Sequence, residues 1–165
     1  MRKILTIVEY NKASLGIRFV NNLLDLIVLI VINVIISNIS NILYEITSVD
    51  FFYFYSNGGI FWELFIGNFN CFLYYFLMEN YLDGRTVGKY ITGTKAISTD
   101  GTKPTTQQIV YRNLARLIPF DGLSFFGVNG WHDSWSDTRV IDLKKYHAEI
   151  QAKSEIDRLG QKEIA

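Results

Sequence analysis

No lysine or arginine occurs between Arg18 and Arg85. A soluble domain needs charges of both signs across its surface, so this gap excludes an ordinary soluble fold for the middle of the chain. It is the pattern of a segment that lies in lipid and on the outer side of a membrane. Cysteine is nearly absent too. Cys71 stands alone, which excludes a disulfide framework and any multi-cysteine metal site. Mid-way along an apolar segment, it reads as a small buried hydrophobe. A net charge is also lacking, with Lys plus Arg and Asp plus Glu at 16 each. The balance therefore suggests neither nucleic acid nor an acidic substrate. The N-terminus resembles a secretion signal as far as Val8, but Glu9, Asn11 and Lys12 interrupt it. No small-residue cleavage site follows closely, so it is expected to be retained.

Two long apolar segments are present. The first runs from about Gly16 to Ile36, with a possible extension to Leu43, and the second from about Ile60 to Tyr81. Each suits a helix crossing roughly 30 Å of hydrocarbon. Arg18, Asn21, Asn22 and Asp25 fall on one side of the first. Glu63, Gly67, Asn70 and Tyr74 share a face of the second, with Glu79 near its end. Two such helices should pack polar stripe against polar stripe. The connection over 37–59 carries no Lys or Arg and holds the cluster Phe51-Phe-Tyr-Phe-Tyr55, which fits an interfacial aromatic belt. Residues 83–116 carry Arg85, Lys89, Lys95, Lys103, Arg112 and Arg116. The positive-inside rule then places both termini and 83–116 in the cytoplasm, with 37–59 outside, in a multi-pass cell-membrane protein.

Beyond the second helix the pattern changes. Residues 90–98 alternate loosely and lead into Asp100-Gly101, a hairpin-like signal whose return strand is cut short by Pro104. Thr105 and Gln108 fit a capping box. The helix they open, about 106–118, puts Arg112 and Arg116 on one side and ends at Pro119. Such a basic amphipathic helix is expected in the membrane interface. Residues 117–131 are apolar but too short and broken to span, and read as a re-entrant or interfacial segment. The charged tail, 143–165, reads as a solvated cytoplasmic helix following a membrane domain over 1–142.

An ionisable group inside a membrane segment is a functional candidate, and Asp25 is the foremost. Either it is protonated or a cation holds it ionised. Arg18 rises only about 10 Å from it along the helix, and Arg112, Arg116 or a bound cation are equal candidates for its partner. The alternative is that Asp25 merely ties helices together. Glu63 and Glu79 read as side chains snorkelling to the outer and inner interfaces. Gly84-Arg-Thr-Val-Gly88-Lys89 has one residue too few between its glycines for a phosphate loop and a Tyr where Ser or Thr is needed. It reads as a cytoplasmic turn near lipid phosphates. His132, Asp133 and Asp137 cluster without enough ligands for a metal. Nothing points to an enzyme or a cofactor.

The ordered set of Arg18 and Asp25, Glu79, Gly84, Thr86, Gly88 and Lys89, Gly93, Asp100-Gly101, Arg112, Arg116, and His132-Asp133 with Thr138 resembles the RDD family of small bacterial membrane proteins. The resemblance covers about Ser14 to Asp142. It implies that Arg18, Asp25 and Asp133 are the arginine and two aspartates that name the family. It further implies transport of a cation, proton or small ligand, since some members are associated with sodium/proton exchange. Two spans cannot enclose a pathway, so transport requires a homo-oligomer or other membrane subunits. The alternative is an accessory or assembly subunit of a larger membrane complex. The expected architecture is all-α and integral to the membrane: two transmembrane helices, an interfacial amphipathic helix, a short re-entrant or interfacial segment and a short β-hairpin-like loop.

Overall fold

The computed structural model describes residues 5–117 and 131–163, with side chains described except at 56, 131, 132, 157 and from 160 on. The expected re-entrant segment and the side chain of His132 therefore lie outside the described residues.

A short helix α1 (Thr6–Tyr10) precedes α2 (Leu15–Thr47). Ser14 caps α2 by accepting the Ile17 N–H at 3.3 Å, which satisfies one of the orphan donors of its first turn. At 33 residues, α2 is about 50 Å long. It continues well past Ile36, and left-handed Ser48 ends it. A further helix α3 (Asp50–Asn57) follows, and then α4 (Ile60–Tyr81). The expected open loop over 37–59 is thus largely helical. Asn38 and Thr47 do not break α2, because their side chains bond the carbonyls of Val34 and Leu43 one turn back.

Both α2 and α4 are long and apolar enough to cross a membrane. Only 11% and 17% of their most apolar stretches are buried within the chain. A core helix of a soluble protein would be mostly covered, so the exposed Leu, Ile, Val and Phe side chains call for lipid. The two helices meet through Leu29, Tyr74 and Tyr75, with half-buried Cys71 packed beside them.

The remaining elements form a cap at one end of this pair. They are α5 (Val87–Ile91), β1 (Thr94–Ser98), α6 (Thr106–Arg116), α7 (Trp131–Trp135), β2 (Thr138–Asp142) and the tail helix α8 (Leu143–Glu163). The expected local hairpin at Asp100-Gly101 is corrected by the strand pairing. β1 runs antiparallel to β2, with Thr94 opposite Asp142 and Ser98 opposite Thr138. The Asp-Gly turn closes, but Pro104 denies the following residues a ladder, and the distant strand takes their place. The N-terminal segment adds to the other edge through Lys12 and Ile141. Val8, Ile97 and Ile141 form the apolar centre of the cap.

The capping box on α6 is present, with Thr105 accepting the Gln108 N–H and the Gln108 side chain accepting the Thr105 N–H. Its arginines do not turn outward as an interfacial helix would place them. Arg112 is fully buried, while Tyr111 and Leu114 are exposed.

Candidate functional site

The polar stripe of α2 is one face at helical spacing: Arg18, Asn21 and Asp25 are all buried there, followed by Leu29. Each meets a different part of the cap. Arg18 donates from Nε to the Ala13 carbonyl at 3.1 Å, and its Nη1 lies 3.6 Å from Asp133 Oδ2. Asn21 donates to Thr94 Oγ1 at 2.9 Å and accepts from Thr92 Oγ1 at 2.5 Å.

Asp25 is bound by three neutral donors. Oδ1 accepts from the Tyr74 hydroxyl and from the Gly88 backbone N–H, each at 2.8 Å. Oδ2 accepts from Thr86 Oγ1 at 2.6 Å. Neither Arg18 nor Arg112 nor Arg116 pairs with it. The expected cationic partner is replaced by hydrogen bonds, which can hold a buried carboxyl group without any counter-charge. Thr86 also caps α5 by accepting from the Lys89 N–H, so a single hydroxyl starts that helix and fastens it to α2.

Gly88 shows why this junction needs glycine. A Cβ there would stand 2.4 Å from the Asn21 carbonyl oxygen and 3.1 Å from Asp25 Oδ1. Gly84 is a second such position, with φ +82° and the Ala96 carbonyl 2.3 Å from a would-be Cβ. The segment over Gly84 to Lys89 is therefore a tight backbone splice between α4, α5 and β1. Lys89 itself does not face lipid phosphates, since it is buried and donates to Glu79 at 2.6 Å.

Glu79 is the largest correction to the sequence reading. Far from snorkelling, it is 0% exposed and lies at the centre of three cations. Oε1 accepts from Lys89 Nζ at 2.6 Å and Arg116 Nη2 at 3.0 Å, and Oε2 accepts from Arg112 Nε at 3.1 Å. Arg116 also lies 3.9 Å over the Tyr75 ring, a favourable cation–π contact. Burial, against the opposing pull of Glu79, lowers the Lys89 ammonium to about 8, and Arg112 and Arg116 push the same way.

Arg112 links this cluster to Asp133. Its Nη1 donates to Asp133 Oδ1 at 2.5 Å and also to Thr138 Oγ1. Thr138 in turn shares a hydrogen bond with Ser136 at 2.7 Å. Arg139 Nη1 donates to the Asp133 carbonyl at 3.2 Å. Arg18 and Asp133 are thus brought together, and Glu79, Lys89, Arg112, Arg116 and Thr138 join them. Asp25 stands in a neighbouring neutral cluster with Thr86, Gly88 and Tyr74.

A model of the RDD family matches residues 12–141. The chain belongs to the RDD family. The match spans the polar network from Lys12 into β2, and with the exposed apolar helices it makes this a membrane protein. No curated protein and no solved structure matches the chain.

Sequence reasoning placed Asn21 on the polar stripe but missed its partners Thr92 and Thr94, missed Asn113, and gave Gln108 only its capping role. Gln108 also donates to Ser98 Oγ at 3.1 Å and the Asp137 carbonyl at 3.2 Å. Among the described residues no group of three or more His, Cys, Asp or Glu side chains is placed to hold a metal.

Proposed function

We propose that this RDD protein is an assembly or accessory subunit of a larger membrane complex, with its polar network fixing a rigid cytoplasmic cap on two membrane helices. One observation carries the reading: every family carboxylate is already engaged within the chain. Asp25 accepts three hydrogen bonds, Glu79 meets three cations, and Asp133 meets Arg112 and Arg18. A carrier for protons or cations needs a carboxylate that exchanges its partner with the cargo during transport. Carboxylates held by donors from several elements are instead suited to fastening elements together.

The membrane surface supports a partner. Asn38 and Asn68 are exposed on α2 and α4, each donating only to its own helix one turn back. Their amide oxygens thus face the region where lipid would lie, and such groups favour association with another helix. Gentle extraction from the native membrane, native mass measurement and identification of the co-purifying chains test the proposal. A defined complex with a different protein is expected. A homo-oligomer that moves cations or protons across vesicle membranes would replace this reading with transport.

A further inference from the structure

An open cleft of about 300 Å³ lies where the apolar surface of α4 ends. Tyr81, Leu82, Asp83, Arg85, Tyr90 and Lys95 line it, so the end of α4, the splice, α5 and β1 all contribute. That volume is at the small end for a ligand site, suited to a headgroup and not to a large cofactor. Its charge is one-sided. Asp83, the one carboxylate among these residues, is already paired with Lys103. Among the described residues Arg85 and Lys95 make neither an ion pair nor a side-chain hydrogen bond. Arg85 instead lies 5.9 Å over the Tyr90 ring, a cation–π contact that uses none of its N–H donors. Lys103 first, and then Lys95 and Arg85, hold the Asp83 carboxyl below its usual range, so both cations bear on the same space.

The cleft also has a defined depth. The apolar stretch of α4 is largely uncovered by the chain, so lipid reaches the edge of the cleft. Tyr81 and Tyr90 are 77% and 68% exposed there. Exposed tyrosines at the end of a membrane helix belong at headgroup level, with the ring against the acyl boundary and the hydroxyl in water. Exposed Leu82 and Ile91 carry the apolar surface past the end of the helix. We propose that this cleft binds an anionic phospholipid of the adjoining leaflet, with Arg85 and Lys95 holding its phosphate. Arginine brings a planar fork that matches phosphate, and lysine a second point charge. A zwitterionic headgroup offers the same phosphate but sets its own cation beside two others. Each Lys or Arg near the surface favours an anionic lipid by about fivefold, so the pair gives about 30-fold. Free inorganic phosphate lacks the acyl chains that would lie on α4, so the position commits the site to lipid. The site is separate from the Glu79 network, and the inference holds whether or not the chain is a subunit.

The test uses the full chain in a neutral detergent, titrated with short-chain phosphatidylglycerol or phosphatidylcholine, with bound lipid counted by native mass spectrometry. Phosphatidylglycerol should bind about 30-fold more tightly than phosphatidylcholine. Arg85→Gln should weaken it about fivefold, and Arg85→Gln with Lys95→Gln should remove the preference. Neither side chain has a partner whose loss would unfold the chain. Asp83→Asn removes the carboxylate from the cleft and should tighten binding about fivefold. Lys144→Gln with Lys145→Gln removes two exposed cations from the tail helix and should change nothing. Equal binding of the two lipids would overturn the site. An equal loss in the Lys144→Gln, Lys145→Gln variant would overturn it too, by showing attraction to charge in general. Displacement of phosphatidylglycerol by an equal concentration of inorganic phosphate would overturn the lipid assignment.

Discussion

Replacing Glu79 by glutamine keeps the side-chain shape and removes the charge that three cations share. The amide group must point somewhere. Turned toward Oε2, it sets a donor against Arg112 Nε, 3.1 Å away. Turned toward Oε1, it sets a donor against both Lys89 and Arg116, at 2.6 and 3.0 Å. The first orientation loses one charge-assisted bond and weakens two; the second loses two. In either case three buried cations are left without this carboxylate. Removing one partner of a buried ion pair typically costs 3–5 kcal/mol, because the other charge stays desolvated. With a three-cation cluster, Glu79→Gln should cost about 4 kcal/mol.

Lys89→Met is the contrasting case. It takes away a cation that the site holds poorly, as the fall of its ammonium to about 8 shows, and leaves Glu79 with two arginines. It should cost only about 1 kcal/mol. In the double variant the loss of one cation offsets part of the lost carboxylate, so the two effects should fall short of additivity by about 1–2 kcal/mol. Reversible unfolding in mixed micelles measures all three. A Glu79→Gln cost below about 1 kcal/mol, or a Lys89→Met cost equal to it, would refute the assignment of Glu79 as the centre of the network.

Stability should also depend on pH through Lys89. The folded lysine releases its proton near 8, the unfolded one near 10.4. Between these values the unfolded state binds more protons, so stability should rise with pH by up to about 3 kcal/mol, with no slope from this group below 8; a wild-type unfolding series over that window against Lys89→Met checks it. Gly88→Ala should cost about 3 kcal/mol, since its Cβ would meet the Asn21 backbone, whereas Gly67→Ala, with nothing within 4 Å, should be neutral or stabilising by up to about 1 kcal/mol. Equal costs at the two glycines would contradict the splice. Cysteines at Ala96 and Val140 face each other across the sheet and should crosslink in a Cys71→Ser background, which a hairpin returning through Thr102 would not allow.

Hydropathy and charge segregation made the two membrane helices legible, and the end points of α4 coincide with the apolar run. The capping box was legible because its residues lie three apart and act locally. What failed was anything decided by distant pairing. The Asp-Gly turn suggested a local hairpin because a single sequence carries no record that Thr138–Asp142 lies beside Thr94–Ser98. Glu79 was misread for the same reason. A carboxylate near the end of an apolar helix snorkels when alone, and nothing local announces three cations from Lys89, Arg112 and Arg116 converging on it.

The order of the family residues along the chain makes sense in this light. Asp25 and Glu79 lie near the same ends of two antiparallel helices, and each is a short acceptor on an otherwise apolar surface. Apart from Tyr74 of α4, the donors that reach them come from the basic stretch after α4: Thr86, Gly88 and Lys89 from one splice, Arg112 and Arg116 from one face of α6. Asp133 then returns the favour from α7, accepting from Arg112 and lying beside Arg18 of α2. Each half carries buried charged groups whose partners lie in the other, Asp25, Glu79 and Arg18 on the helices and Lys89, Arg112, Arg116 and Asp133 in the cap. Burying a charge without its partner is costly, so the two halves must form together. Arg18, Asp25 and Asp133 thus all lie on the joint between membrane helices and cap, which explains why chemistry spread over more than a hundred residues converges on a few buried side chains.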